Sequence, residues 1–186
     1  MPFNNSVFRL PNTSALVVEG GAMRGIFASG VLDFFMQHNY RRFDFAIGVS
    51  AGATNLSGYV CNQPGRSHDI IVNYATQREF FNPLRGLKGG HLTDVDWLWN
   101  YAHQQIPLAV ENLTDGIPVY AVVSRVADGE PRYLKVTPHN VHALMVASCA
   151  LPFAFRKPIV IEDVRYVDGG VSDSIPVKKA WEMGAR

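Results

Sequence analysis

Apolar positions along this chain come in short bursts separated by glycine-rich breaks, a spacing that suits buried strands alternating with helices. Ser14-Ala15-Leu16-Val17-Val18 is the first burst and is consistent with a buried strand. It breaks into Glu19-Gly20-Gly21-Ala22-Met23-Arg24-Gly25, and a helix is predicted from about Ile26 to Gln37. Phe27, Val31 and Phe34 share one face of that helix at the 3.6-residue period. His38 to Arg42 crosses to a second apolar run, Phe43-Asp44-Phe45-Ala46-Ile47, read as a strand ending near Ile47. Gly48-Val49-Ser50-Ala51-Gly52-Ala53 then opens another helix. Strand, glycine loop, helix, strand, tight turn, helix is the rhythm of an α/β fold with a parallel sheet covered on its faces.

The middle of the chain is less regular. Gln63-Pro64-Gly65 reads as a turn, with Ser67 as the cap of a helix containing Ile70, Ile71 and Tyr74. Phe80 to Gly90 is loop-like, and Asp94 to His103 carries Trp97, Trp99 and Tyr101. Two readings of the segment from about Phe80 to Leu113 stay open: a mobile cover or acyl groove, or aromatics that complete the core. Beyond Pro118, Val119 to Ser124 and Arg132 to Val136 read as paired strands around an Asp128-Gly129 turn. His139 to Ser148 looks helical with Asn140 as a cap, and Val164-Arg165-Tyr166-Val167 leads into Asp168-Gly169-Gly170. Pro176 is placed as the first residue of a last helix through Met183, stopped by Gly184.

Composition narrows the class. The 186 residues suffice for one domain with a real core, and 47% hydrophobic against 18% charged residues is a globular balance. A net charge of +1 gives no electrostatic case for nucleic acid or an anionic membrane. Cys61 and Cys149 cannot build a disulfide framework, so a reducing compartment, the cytoplasm, is expected. The opening Met1-Pro2-Phe3-Asn4-Asn5 lacks the pattern of a signal peptide, and no apolar run reaches membrane-spanning length.

Three stretches carry candidate chemistry. Gly48-Val49-Ser50-Ala51-Gly52 fits G-x-S-x-G, a sharp strand-to-helix turn that presents a serine Oγ at the carboxyl end of a sheet. Read blandly, it is only a small-residue helix start. The Gly20 to Gly25 loop is a poor dinucleotide fingerprint, because Ala22 holds the middle glycine place, and a poor P-loop, because Ile26-Phe27 follow Gly25. Its Gly20, Gly21 and Ala22 N–H groups suit an oxyanion hole. Asp168 ends a strand among small neighbours, although Asp-Gly is more often a plain turn. None of the six histidines (His38, His68, His91, His103, His139 and His142) lies in a small-residue loop after a strand, where the base serving an elbow serine is usually found.

The blocks Gly20-Gly21-Ala22-Met23-Arg24-Gly25, Gly48-Val49-Ser50-Ala51-Gly52, Ala147-Ser148-Cys149-Ala150-Leu151-Pro152 and Asp168-Gly169-Gly170 stand in one order over nearly the whole chain. In this they resemble a patatin-like phospholipase domain of the bacterial kind. The resemblance implies a three-layer α/β/α fold with a mainly parallel sheet and hydrolysis of fatty-acyl esters without a metal or other cofactor. It implies a Ser–Asp dyad with Ser50 as nucleophile and Asp168 as base. The Gly20–Ala22 loop becomes the oxyanion hole, and Arg24, Gly25, Gly48, Gly52, Gly169 and Gly170 support these motifs. The expected partner is a lipid acyl ester, with transient contact at a membrane surface left open. Two departures are visible. The stretch Val171-Ser172-Asp173-Ser174-Ile175-Pro176 lacks the family's asparagine before the proline, leaving Ser174 or Asp173 as substitutes. The family domain also commonly continues past the last helix, so residues 1–186 read as one domain drawn short at its C-terminal end. A catalytically idle acyl-chain-binding relative and a nucleotide-binding α/β domain are the rival readings.

Overall fold

The structure is a computed structural model that describes residues 13–186. It contains six strands: β1 (Ala15–Val18), β2 (Phe45–Val49), β3 (Val119–Arg125), β4 (Pro131–Lys135), β5 (Ile159–Ile161) and β6 (Val164–Asp168). Around them lie α1 (Gly25–Gln37), α2 (Ala51–Val60), α3 (Arg66–Asp69), α4 (Pro83–Leu87), α5 (Val95–Gln105), α6 (Asn112–Asp115), α7 (Val141–Ser148) and α8 (Val177–Glu182). The sheet runs β1-β2-β3-β6-β5, with β4 also paired to β3. β1, β2 and β3 are mutually parallel, while β4 and β6 run antiparallel to β3 and β5 runs antiparallel to β6. Strands β1, β2, β3 and β5 therefore point one way, and the sheet is mainly parallel, flanked by helices as an α/β/α sandwich.

β3 is the organising strand. Val122 pairs with Val49 on one edge and Tyr133 on the other, while Val123 pairs with Asp168 and Arg132. β2 and β6 consequently share one edge of β3 end to end, approaching from opposite directions. Their carboxyl ends meet at neighbouring positions, which brings the residue after Val49 against Asp168.

The period-2 alternation of β2 divides its side chains between two cores. Phe45, Ile47 and Val49 pack with Val122 and Ala180 of α8 on one face. Ala46 belongs to the larger core on the other face, with Leu32 of α1, Leu56 of α2, Trp99 of α5 and Leu144 of α7. All five residues of β2 are buried, as expected of an interior parallel strand.

Several sequence expectations shift here. The predicted apolar face of α1 is turned outward: Phe27 is 80% and Phe34 56% exposed, and Val31 is also exposed. The inward stripe is Gly25, Ser29, Leu32 and Met36. Both stripes have helical spacing, so period alone does not choose between them; the small residues let α1 approach α2, where Asn55 Nδ2 donates to the Gly25 carbonyl at 2.8 Å. Gly65, with φ +80°, and not Ser67, precedes α3, and Ile70–Tyr74 form a π-helical turn. The loop-like Phe80 to Gly90 contains α4, capped by Asn82, whose side chain accepts from Arg85 N. Asn140 precedes α7, but its Oδ1 accepts from Thr137 N and caps no helical N–H. Pro176 sits one residue before α8 instead of inside it.

Candidate active site

Ser50 lies between β2 and α2 with φ 51° and ψ −124°, a strained conformation for a residue with a Cβ. Close packing on both sides holds the turn. A Cβ on Gly52 would lie 2.4 Å from the Val18 carbonyl oxygen, and one on Gly48 would lie 2.6 Å from Ala53 Cα. Only hydrogen fits at these places, so β1, β2 and α2 together force the serine out of the sheet. The side chain of Ser148, at the end of α7, fastens the turn from below. Its Oγ accepts the Ser50 N–H at 2.9 Å and donates to the Val122 carbonyl at 2.7 Å.

Ser50 Oγ donates to Asp168 Oδ2 at 2.9 Å. The other carboxylate oxygen, Oδ1, accepts from Gly170 N at 2.7 Å. Asp168 N donates to the Ala150 carbonyl at 3.0 Å, and Ser124 Oγ donates to the Asp168 carbonyl at 2.8 Å while also meeting Ser172 Oγ. Asp168 is 5% exposed. Burial lifts its carboxyl above the ordinary range, against smaller opposing pulls from the Gly170 N–H and the Ser50 hydroxyl. Gly169 packs where a Cβ would strike the Val122 carbonyl oxygen. The substitutes suggested for the absent asparagine do not brace this carboxylate: Asp173 Oδ2 accepts from Tyr133 OH at 2.6 Å, and Ser174 lines the cavity. Support comes from Gly170, Ser124 and Ser172.

Gly20, Gly21, Ala22 and Arg24 border the same cavity as Ser50. A Cβ on Gly20 would come 3.0 Å from Ser50 Cβ, so the loop backbone lies directly against the serine. The Gly20 and Gly21 N–H groups have no hydrogen-bond partner among the described residues. Gly21 takes φ 150° and Ala22 φ 48°, and Arg24 N closes the loop onto the Gly21 carbonyl at 3.0 Å. Gly25 then opens α1.

The cavity measures about 480 Å³, within the usual range for a small-molecule site, ~300–1,000 Å³. Away from Ser50 its walls are largely apolar: Ile70 and Ile71 from the π-helical turn, Leu98, Trp99 and Ala102 from α5. In the Phe80 to Leu113 segment Val95, Trp99 and Ala102 complete the core, as one reading expects, and the same residues line the cavity. The preceding loop is fastened to the chain after α7, with Leu92 N donating to Ala154 O at 2.8 Å and Arg156 Nη2 to Gly86 O at 3.1 Å. No histidine borders the cavity among the described residues. His142 faces Asp96 and His91 stacks on Phe155. Cys149 does border it, and burial, with the nearby Asp168 charge, pushes its thiol up to about 12, leaving it protonated at neutral pH. Among the described residues no cluster of three or more His, Cys, Asp or Glu is placed to hold a metal.

A family model, that of the patatin-like phospholipases, matches residues 16–181. The chain belongs to the patatin-like phospholipase family. This patatin-like chain is 44% identical to the uncharacterized protein YjjU of Escherichia coli strain K12 over 180 residues, covering 95% of the chain and 50% of the relative. It is 31% identical over 146 residues to the mouse 1-acylglycerol-3-phosphate O-acyltransferase Pnpla3, covering 72% of the chain and 32% of that protein. The chain therefore spans half or less of the length of these relatives. VipD from Legionella pneumophila shares the fold with a TM-score of 0.61 at 14% identity, over 89% of this chain and 47% of that one.

Ser148, Ser124, Ser172 and Asn55 were not singled out individually from the sequence. Ser148 sits inside the Ala147–Pro152 block, and a lone hydroxyl amid the apolar residues of α7 was its only signal.

Proposed function

We propose that this patatin-like domain is a serine lipid acyl hydrolase working through a Ser50–Asp168 dyad. The observation that carries the reading is the 2.9 Å hydrogen bond from Ser50 Oγ to Asp168 Oδ2 at the head of a largely apolar cavity. Asp168 takes the hydroxyl proton as Ser50 Oγ forms a bond to the ester carbonyl carbon. The carbonyl π electrons move onto oxygen, and the unpaired N–H groups of Gly20 and Gly21 supply donors for the oxyanion. The α2 N-terminus adds its positive end. Collapse breaks the bond to the alcohol, which leaves with the proton from Asp168, and an acyl-Ser50 ester remains. Water, deprotonated by the same carboxylate, then releases the fatty acid and restores Ser50.

The substrate in this reading is a fatty-acyl ester such as a phospholipid or lysophospholipid, its chain lying along Ile70, Leu98 and Trp99. Met23 and Leu151, which border the cavity, are 40% and 51% exposed, and Phe153, two residues beyond Leu151, is 92% exposed, which supports transient contact with a membrane surface. No helix among the described residues is long and apolar enough to cross a membrane. Both cysteines are free, in keeping with a reducing compartment, and we place the protein in the cytoplasm. One experiment tests the core of the reading. A fluorophosphonate should label Ser50, and Ser50→Ala should abolish both labelling and hydrolysis of a short nitrophenyl ester. A folded wild-type protein that neither labels nor hydrolyses would be the idle acyl-chain-binding relative instead.

A further inference from the structure

The far wall of the cavity carries a charge that the dyad chemistry does not use. Arg66, the first residue of α3, borders the cavity yet is only 3% exposed. Its Nε donates to the Ile106 carbonyl at 3.1 Å, and its guanidinium carbon lies 5.8 Å from the centre of the Trp99 ring. Its Nη2 is buried with no hydrogen-bond partner, and among the described residues no carboxylate lies within ion-pair reach of it. Burial lowers its pKa to about 10, so the group is still cationic at neutral pH. Burying an unpaired cation is costly, and native chains seldom do so without an anion or a dipole to meet it.

The position is as informative as the charge. Ser50 precedes the first residue of α2, and Arg66 comes six residues after its last, where the adjoining Ser67 Oγ lies 3.2 Å from the place of a Gly58 Cβ in the final turn. The two therefore sit at opposite ends of a ten-residue helix, on the order of 15 Å long. Between them the wall is largely apolar, with Ile70, Ile71 and Leu98 outweighing Thr54, Asn55 and Ser67. An acyl chain bound as an ester at Ser50 would run along this wall and bring its far end to the guanidinium. A methyl terminus would leave the buried guanidinium without an anion, whereas a carboxylate would meet it in a charge-assisted hydrogen bond at the edge that borders the cavity.

We infer that Arg66 forms a terminal anion subsite, selecting acyl chains that carry a carboxylate at the end remote from the ester. The inference rests on the Ser50–Asp168 reading and narrows its substrate class to carboxyl-terminated, that is oxidised, acyl groups. The Ile106 carbonyl holds Nε and the Trp99 ring lies against the guanidinium, so the head is positioned before any ligand arrives.

The test compares nitrophenyl monoesters of dicarboxylic acids with methyl-ended esters of equal length, across a series of lengths. In the wild-type protein kcat/KM should favour the carboxyl-terminated ester at the length that spans the cavity, and Arg66→Gln should lower that preference by about ten-fold, mainly through KM. Arg66→Lys, which keeps the charge without the fork, should retain part of it. A preference absent from the wild type at every length, or unchanged in Arg66→Gln, overturns the subsite. Should Arg66→Gln fail to fold, the wild-type length series decides alone. A third arm uses methyl-ended esters with a phosphate on the leaving alcohol; an Arg66→Gln loss confined to these would mean that Arg66 reads a head group, and the terminal assignment is wrong. Failure to hydrolyse even a short neutral ester would instead count against the Ser50–Asp168 reading.

Discussion

The hydroxyl of Ser148 accepts the backbone N–H of Ser50 at 2.9 Å, across 98 residues of sequence, while donating to Val122 on the central strand. A single buried side chain thus joins α7, β3 and the strained turn that presents the candidate nucleophile. Ser148 makes no contact with substrate in this arrangement. Its effect is on where Ser50 sits.

Ser148→Ala should therefore lower kcat on a short ester by about ten-fold with little change in KM, since misplacement of the nucleophile acts on the reacting geometry and not on binding. It also leaves the Ser50 N–H and the Val122 carbonyl short of a partner, costing on the order of 1–3 kcal/mol of stability. Steady-state kinetics beside a thermal melt read both effects. An unchanged kcat in a destabilised protein would reduce Ser148 to a structural strut.

The two glycine motifs should fail in different ways when filled. A Cβ at Gly52 would sit 2.4 Å from the Val18 carbonyl oxygen, against backbone that cannot yield, so Gly52→Ala should lower the melting temperature sharply or prevent folding. At Gly21 the nearest atoms to a new Cβ belong to the Arg24 side chain, at 3.5 Å, and space is not the obstacle. The obstacle is φ 150°, which a valine resists. Gly21→Val should fold and lose ~10²-fold in kcat as the donors move. A Gly21→Val protein altered only in KM would make the loop a binding element.

What the sequence disclosed follows from the range of the forces involved. Strand, loop and helix order is written in local apolar runs, so β1, β2, β3, β4 and β6 are all foreshadowed by their residues. The glycine, serine and aspartate blocks stand out because tight turns admit few residue types. β5 was hidden in a proline-rich stretch of only three strand residues, Ile159–Ile161. The inward face of α1 was hidden because two apolar stripes compete, and only the approach of α2 decides between them. The brace from Ser148 and the isolation of Arg66 are pairings across the fold; no local pattern records what a hydroxyl or a guanidinium will meet, or fail to meet, after the chain has closed.

The pH dependence follows from Asp168. Its carboxyl is raised above the ordinary 3.8 mainly by burial, and in the proposed dyad it acts as a base only when ionised. The kcat/KM profile should therefore hold above that raised value and fall as the pH drops through it. A stability effect of opposite sense accompanies this. A carboxyl whose folded pKa is raised keeps protons that the unfolded chain has lost, so stability falls as pH rises from the unfolded value through the folded one. At neutral pH the ionised carboxylate is a net cost to the fold. Asp168→Asn, which can still accept from Gly170 N, should melt at a higher temperature than the parent at pH 7, and the advantage should vanish below the unfolded value. A melting temperature at pH 7 equal to or below that of the parent would contradict the proposed strain.

The same substitution bears on which group moves the proton. In a triad, imidazole takes the serine proton and the carboxylate orients it. Here Ser50 Oγ meets Asp168 Oδ2 directly, and no histidine borders the cavity among the described residues. His38 stacks on Phe34, His68 meets its neighbour Asp69, His91 stacks on Phe155 and His142 faces Asp96. Asp168→Asn should then cost ~10²–10⁴-fold in kcat, the scale of losing a general base, despite the more stable fold. Replacing each histidine singly should leave kcat within about ten-fold, the scale of indirect packing effects. The measurement is a set of seven variants, Asp168→Asn and six His→Ala, assayed on one short ester. One histidine variant as damaged as Asp168→Asn would return the site to a triad and leave the 2.9 Å contact as an accident of the resting state.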